Sequence, residues 1–172
     1  MNATIFASVD SLRSAGFTGF VSIRELRECK LQCVPGKPGD IGVYLVLRVQ
    51  TDIPVFLKKS TGGFFKKQDP SVAVDILKAN WVRNTLVVYI GKAGTLDGKA
   101  TLRSRLRQYL SFGAGRAIGH WGGRMIWHLP QSEDLLVCWK RTPNLAPRDV
   151  EKQMIRAFTE AFGNRPFANL TD

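Results

Sequence analysis

Long apolar runs are absent from this sequence. No window approaches the roughly 18 uninterrupted apolar residues that a membrane-spanning helix requires. Residues 1–19 also lack the basic start and unbroken apolar stretch of a signal peptide, because Asp10 and Arg13 interrupt them. A soluble cytoplasmic protein with no membrane partner is the expectation. Cysteine is scarce. Cys29, Cys33 and Cys138 are an odd number, which argues against a disulfide framework. Cys29 and Cys33 have no second cysteine pair to complete a metal-ligand set. His120, His128 and Cys138 would complete one only by coincidence of fold, so buried free thiols are expected. Repeats and low-complexity tracts are missing, and the charged fraction is ordinary, which excludes a disordered chain. At 172 residues the chain has enough apolar content for one core and too little for two.

Acidic residues are also few, 14 against 25 Lys and Arg, giving a formal net charge of +11. The excess is not spread evenly. Residues 41–100 carry nine basic and four acidic groups, and residues 101–140 carry six and two, so this central stretch holds nine of the eleven net charges. A positive field of that size attracts polyanions through counterion release. Nucleic acid is therefore the expected partner, and a solvated basic surface kept for solubility is the alternative.

Local patterns divide the chain. The stretch Pro35-Gly36-Lys37-Pro38-Gly39 separates an N-terminal segment, residues 1–36, from a single domain over 37–172. The segment reads as mostly helical. Ser22 and Glu25 have capping-box spacing, and Leu26 and Cys33 are expected to face inward from the short helix they start. This segment serves either as an accessory DNA contact or as a brace across the core, and we read it as a brace. Ile41–Val49 and Leu86–Ile90 read as buried strands, and Arg124–Leu129 and Leu135–Trp139 as two more. Residues 50–85 form a basic insertion with a short helix at Ser71–Asn80. Ala100–Ser111 and the stretch opened by Pro147 are amphipathic helices, the second stopped by Gly163. The order of elements predicts an α+β fold with a small, mostly antiparallel sheet of three to five strands flanked by helices.

Five pieces lie in order on these elements. Gly42-Val43-Tyr44 enters the first central strand. Tyr89-Ile90-Gly91-Lys92-Ala93 ends the second and opens a glycine turn. Arg105-Leu106-Arg107-Gln108-Tyr109 lies on the following helix. Glu151 lies early on the last long helix, and Pro166-Phe167-Ala168-Asn169 closes the chain. Together they resemble the GIY-YIG nuclease family, particularly the incision domain of the bacterial nucleotide-excision-repair nuclease. The resemblance spans residues 42–169. It departs from the family pattern at two positions: Tyr44 and Tyr89 are 45 residues apart, which demands the basic insertion, and Tyr109 stands where the family often has His.

The resemblance implies a metal-dependent endonuclease acting on nucleic acid, DNA favoured over RNA, and a homodimer if duplex DNA is cut. Glu151 would be the sole carboxylate ligand of one divalent ion, magnesium or alternatively manganese. Arg105 would pair with the scissile phosphate through its planar fork. Tyr44 would be the general base or orient the water, and Tyr89 would hydrogen-bond a phosphate oxygen or that water. Lys92, Arg105 and the metal would lower the tyrosine pKa from its usual ~10. Asn169 would hold the catalytic groups in place. Tyr109 is either catalytic or core, and His120 either assists proton transfer, binds phosphate, or packs in its glycine-rich loop. Taken singly, Tyr44 and Tyr89 read as strand aromatics, Glu151 as a helix-dipole acid and Arg105 as one of a solvated set. The joint pattern favours catalysis.

Lys58, Lys59, Lys66, Lys67, Arg83, Arg103, Arg107, Arg116 and Arg124 are candidates for contact with the nucleic-acid backbone. Phe64, Phe65, Trp81 and Trp121 are either stacking groups or packing residues.

Overall fold

The computed structural model describes residues 3–50 and 52–171. Its centre is one four-stranded antiparallel sheet made of β1 (Thr18–Ser22), β2 (Gly42–Leu47), β3 (Val87–Ala93) and β4 (Leu136–Arg141), in the order β1-β4-β2-β3. Five helices surround it: α1 (Val9–Ser14), α2 (Ile23–Glu28), α3 (Val74–Asn80), α4 (Leu102–Gly113) and α5 (Pro147–Phe162). The expected α+β class and antiparallel sheet are present. No helix among the described residues is long and apolar enough to cross a membrane.

Every residue of β2 is buried because both faces of the sheet are covered. Tyr44 and Val46 pack with Leu102, Leu106 and Tyr109 of α4. Val43, Leu45 and Leu47 pack with Met154, Ile155 and Phe158 of α5 and with Phe6 and Leu12. That is why the sequence shows a continuous apolar run here instead of alternation. A bulge in β3 adjusts the register. Val46 pairs with Tyr89 and Leu47 with Val87, so Val88 is the extra residue.

The N-terminal segment contributes more than helices. Its residues Thr18–Ser22 form β1 and pair with β4, extending the sheet. The Ser22–Glu25 capping box is present, with Ser22 N–H donating to the Glu25 carboxylate at 2.8 Å. Leu26 is buried as expected, but Cys33 is exposed. The chain turns sharply at Lys30 and Leu31, whose φ values are 49° and 61°, and Leu31 and Val34 fill the core instead.

Arg124–Leu129 does not form a strand. Arg124–His128 is a 3-10 helix in which Met125 through His128 are all buried. A short apolar run carries no periodicity that separates a strand from another buried segment. Its carbonyls serve the insertion: Leu57 N–H donates to His128 O and Thr61 N–H to Trp127 O. The His128 ring is structural and tethers the insertion at two points. Val72 N–H donates to Nε2 at 3.0 Å, and Nδ1 lies 2.7 Å from Leu57 O. α3 starts at Val74 and not at Ser71, because Ala73 has an extended ψ of 139°. Of the two long helices, α4 begins at Leu102 under a Thr101–Ser104 capping box, and α5 ends at Gly163 in the left-handed region, φ 76°.

β3 is one of the two edge strands, and the C-terminal tail covers its open edge. Ala168 N–H donates to Val88 O at 2.9 Å. The Asn169 carboxamide then takes both backbone groups of Ile90, accepting from N–H at 2.9 Å and donating to C=O at 2.8 Å. Asn169→Ala would leave two buried backbone groups unpaired, at a cost of about 2–4 kcal/mol. A lower urea midpoint with an unchanged m-value is the expected result. An unchanged midpoint would show that water replaces both bonds.

Candidate active site

A polar cleft of about 370 Å³ opens beside β3. β3 contributes Tyr89 and Lys92, α4 contributes Arg105, α5 contributes Arg148 and Glu151, and the tail contributes Asn169. A neighbouring cavity of about 320 Å³ shares Lys92 and Arg105 and adds Lys99 and Gln108. A separate cavity of about 230 Å³ at Gln50, Trp81 and Arg83 contains no carboxylate.

Glu151 sits one turn into α5, on the side of the helix that buries Val150, Met154 and Ile155. Its carboxylate accepts from Arg148 Nη1 at 2.8 Å. It is the single carboxylate lining the cleft, and no group of three or more His, Cys, Asp or Glu among the described residues could hold a metal. This donor set fits a hard divalent cation that keeps most of its waters, and it does not fit tetrahedral zinc. Arg148 was missed in the sequence, although Arg-x-x-Glu across the first turn of a helix was its signal.

Three tyrosines lie behind the cleft. The rings of Tyr44 and Tyr89 meet edge-on with centroids 6.0 Å apart, and Tyr109 stacks on Tyr89 at 5.8 Å. Tyr44 and Tyr109 are fully buried, and Tyr89 alone of the three lines the cleft. The strand continues past Gly91 to Ala93, so the expected turn opens at Gly94 (φ 78°). Gly91 has a different task. A Cβ there would stand 2.4 Å from Tyr44 Cζ, so only glycine lets the Tyr44 ring cross β3. The glycine-rich loop presses on Tyr89 from the other side. At Gly123, φ 80°, a Cβ would meet Tyr89 Cζ at 2.9 Å.

Burial works against the expected lowering of the tyrosine pKa. Removal from water, and then the nearby Glu151 carboxylate, push Tyr89 up to about 12 against an opposing pull from Arg105. Burial and then the neighbouring Tyr89 raise Tyr44 well above its usual value, and Arg105 again opposes without prevailing. Burial likewise raises Tyr109. All three are phenols at neutral pH. Each offers an O–H donor, not a ready base.

His120 packs against Tyr109 with ring centroids 4.8 Å apart, and its Nε2 lies 3.4 Å from Tyr44 Oη. It is 1% exposed. Burial, then the Arg105 charge, lower its pKa to about 3, so the ring is neutral at pH 7.

The nucleic-acid candidates divide. Lys58, Lys59, Lys66, Lys67, Arg83, Arg107 and Arg116 are exposed. Arg103 is committed elsewhere. Its Nε donates to Val34 O at 2.9 Å and its Nη2 to Gln32 O at 3.1 Å, tying the N-terminal segment to α4. Arg124 is half-buried, with its guanidinium 4.7 Å over the Trp121 ring. Among the aromatics, Phe64 is exposed and Trp121 lines the cleft. Trp81 packs edge-on against Phe56 and Phe167, which stack on each other.

No known family model, curated protein or solved structure matches this chain.

His120 makes stability depend on pH. Its folded pKa lies below the ordinary value of about 6.5, so the unfolded chain binds the proton more readily. The stability it contributes is complete above about 6.5 and is lost as pH falls towards 3. Urea midpoints measured across that window should fall for wild type, at no more than about 1.4 kcal/mol per pH unit from this group. His120→Phe should flatten that part of the curve. An unaltered slope in the variant would show that His120 is not buried as a neutral ring.

Proposed function

We propose that this protein is a metal-dependent endonuclease of GIY-YIG type that hydrolyses phosphodiester bonds in nucleic acid, with DNA favoured. The observation that supports this most is the convergence of Tyr89, Lys92, Arg105 and Glu151, from three separate elements, on one basic cleft. Phosphodiester hydrolysis needs cations for the phosphate, an oriented water and help for the leaving oxygen. Arg105 presents a planar fork suited to two phosphate oxygens, and Lys92 adds a second positive charge beside it. The Tyr89 phenol reaches the cleft as a hydrogen-bond donor, to a phosphate oxygen or to the attacking water. Tyr44 and Tyr109 act from behind, holding the Tyr89 ring in place. Glu151 would hold a magnesium ion, or manganese, which when bound supplies Lewis acidity at the phosphate. Asn169 acts through the β3 backbone and not on the substrate.

A second reading has its own support. The Glu151 carboxylate is paired with Arg148, and burial keeps the tyrosines protonated. A cleft arranged that way suits a binding module that keeps the fold without cutting. Cleavage assays separate the two. Supercoiled plasmid, single-stranded DNA and structured RNA would be incubated with magnesium, with manganese and with chelator. The nuclease reading expects metal-dependent cleavage that drops by about 10²–10³ in Glu151→Gln while binding survives. Tyr89→Phe should lower kcat more than it raises KM. Cleavage by Glu151→Gln at the wild-type rate would remove the metal role. Tight binding with no cleavage under any metal would favour the binding module, and cleavage of RNA alone would make the enzyme a ribonuclease.

Four of the exposed lysines in the insertion, Lys58, Lys59, Lys66 and Lys67, are assigned to the substrate backbone. Replacing Lys58, Lys59, Lys66 and Lys67 with Gln should weaken binding on all sequences alike. The slope of log affinity against log salt should fall by about 0.9 for each lysine that meets a phosphate of duplex DNA. An unchanged slope would place the substrate elsewhere.

A further inference from the structure

We propose that Cys29 and Cys33 form a reversible dithiol–disulfide site, oxidised by exchange with a small-molecule disulfide such as oxidised glutathione. This site lies outside the cleft and does not depend on the nuclease reading.

The two sulfurs are 3.4 Å apart. Cys33 is exposed and Cys29 partly so, whereas Cys138 is buried. Bond formation requires an approach to about 2.05 Å, within reach of side-chain rotation. The backbone already brings the pair together. Lys30 and Leu31, consecutive residues with φ 49° and 61°, fold the chain back between the cysteines. Arg103 then grips the carbonyls on either side of Cys33, those of Gln32 and Val34. The pair is therefore presented by a held loop and not by a free strand.

The two thiols are also unlike. Burial pushes Cys29 up, but the hydrogen bond from Cys33 and the backbone N–H groups of Leu31, Gln32 and Cys33 outweigh it, and its pKa falls below the usual thiol value. Burial and the neighbouring Cys29 raise Cys33. Cys29 is thus the attacking sulfur and Cys33 the resolving one. In the first step Cys29 loses its proton and attacks one sulfur of the small disulfide. That S–S bond breaks, and one thiol leaves carrying a proton. In the second step Cys33 loses its proton and attacks Cys29 Sγ, releasing the second thiol. Two protein thiols lose two electrons in all, and one disulfide becomes two thiols.

Reduced full-length protein would be equilibrated in glutathione buffers of rising oxidised fraction, quenched with N-ethylmaleimide and weighed intact. The expected result is that both accessible alkylations disappear together, with loss of two hydrogens from the protein mass and recovery in dithiothreitol. Trypsin cuts after the exposed Lys30, so the Cys29 and Cys33 peptides should be recovered joined before reduction and separate after it. Cys33→Ser should instead accumulate a single glutathione adduct on Cys29, and Cys29→Ser should react more slowly. Wild type that stays fully alkylated at every ratio, or that collects glutathione adducts or disulfide-linked dimers instead of the internal bond, would overturn the proposal.

Discussion

Burial of β2 on both faces is the constraint from which the other arrangements follow. A strand with Tyr44 and Val46 directed to one core and Val43, Leu45 and Leu47 to the other needs a helix on each side. α4 and α5 meet that need, and the sheet therefore separates them. Their polar residues can meet only where the sheet ends. β3 is one of the two edge strands in the order β1-β4-β2-β3, and the residues of α4 and α5 meet beside it. Arg105 arrives from α4, Glu151 from α5, and Tyr89 and Lys92 from β3 itself.

An edge strand leaves backbone groups unpaired, and this edge lies beside the cleft. The C-terminal tail resolves the difficulty with one side chain. Asn169 has an acceptor and a donor spaced to match the backbone of Ile90, so it substitutes for a fifth strand at one residue. The same contact fixes the strand that carries Tyr89. Fold stability and cleft geometry are thereby linked through one side chain.

Packing density sets the electrostatics of the site. Tyr44, Tyr89, Tyr109 and His120 form one aromatic cluster with little access to water. Charged forms of all four are disfavoured, which raises the phenols and lowers the imidazole. Arg105 opposes this for Tyr44 and Tyr89 but is outweighed by desolvation. A row of residue types that suggests acid–base chemistry thus becomes, once packed, a set of neutral hydrogen-bonding groups.

Much of this was legible in the chain. The helices α4 and α5, the Ser22 cap, the Gly163 stop and the central strands followed from periodicity and end signals, because those are local. The grouping of Tyr89, Arg105 and Glu151 came only from the family resemblance, and the three do line one cleft. Other features were not legible, since they depend on what lies opposite in space. The Arg124–Leu129 stretch read as a strand, and only the fold shows a 3-10 helix there whose carbonyls are taken by the insertion. Arg103 looked like a free cation until the carbonyls of Gln32 and Val34 were found beneath it. The sign of the tyrosine shifts followed the same rule: residue types named the charges nearby, but only burial in the folded chain decided that desolvation would exceed them. The sequence by itself determined the two long helices, the central strands and the excess of positive charge. The tertiary structure alone decided which polar groups were spent on holding the fold and which were left facing the cleft, because hydrogen-bond satisfaction and desolvation are properties of neighbours that the order of residues does not state.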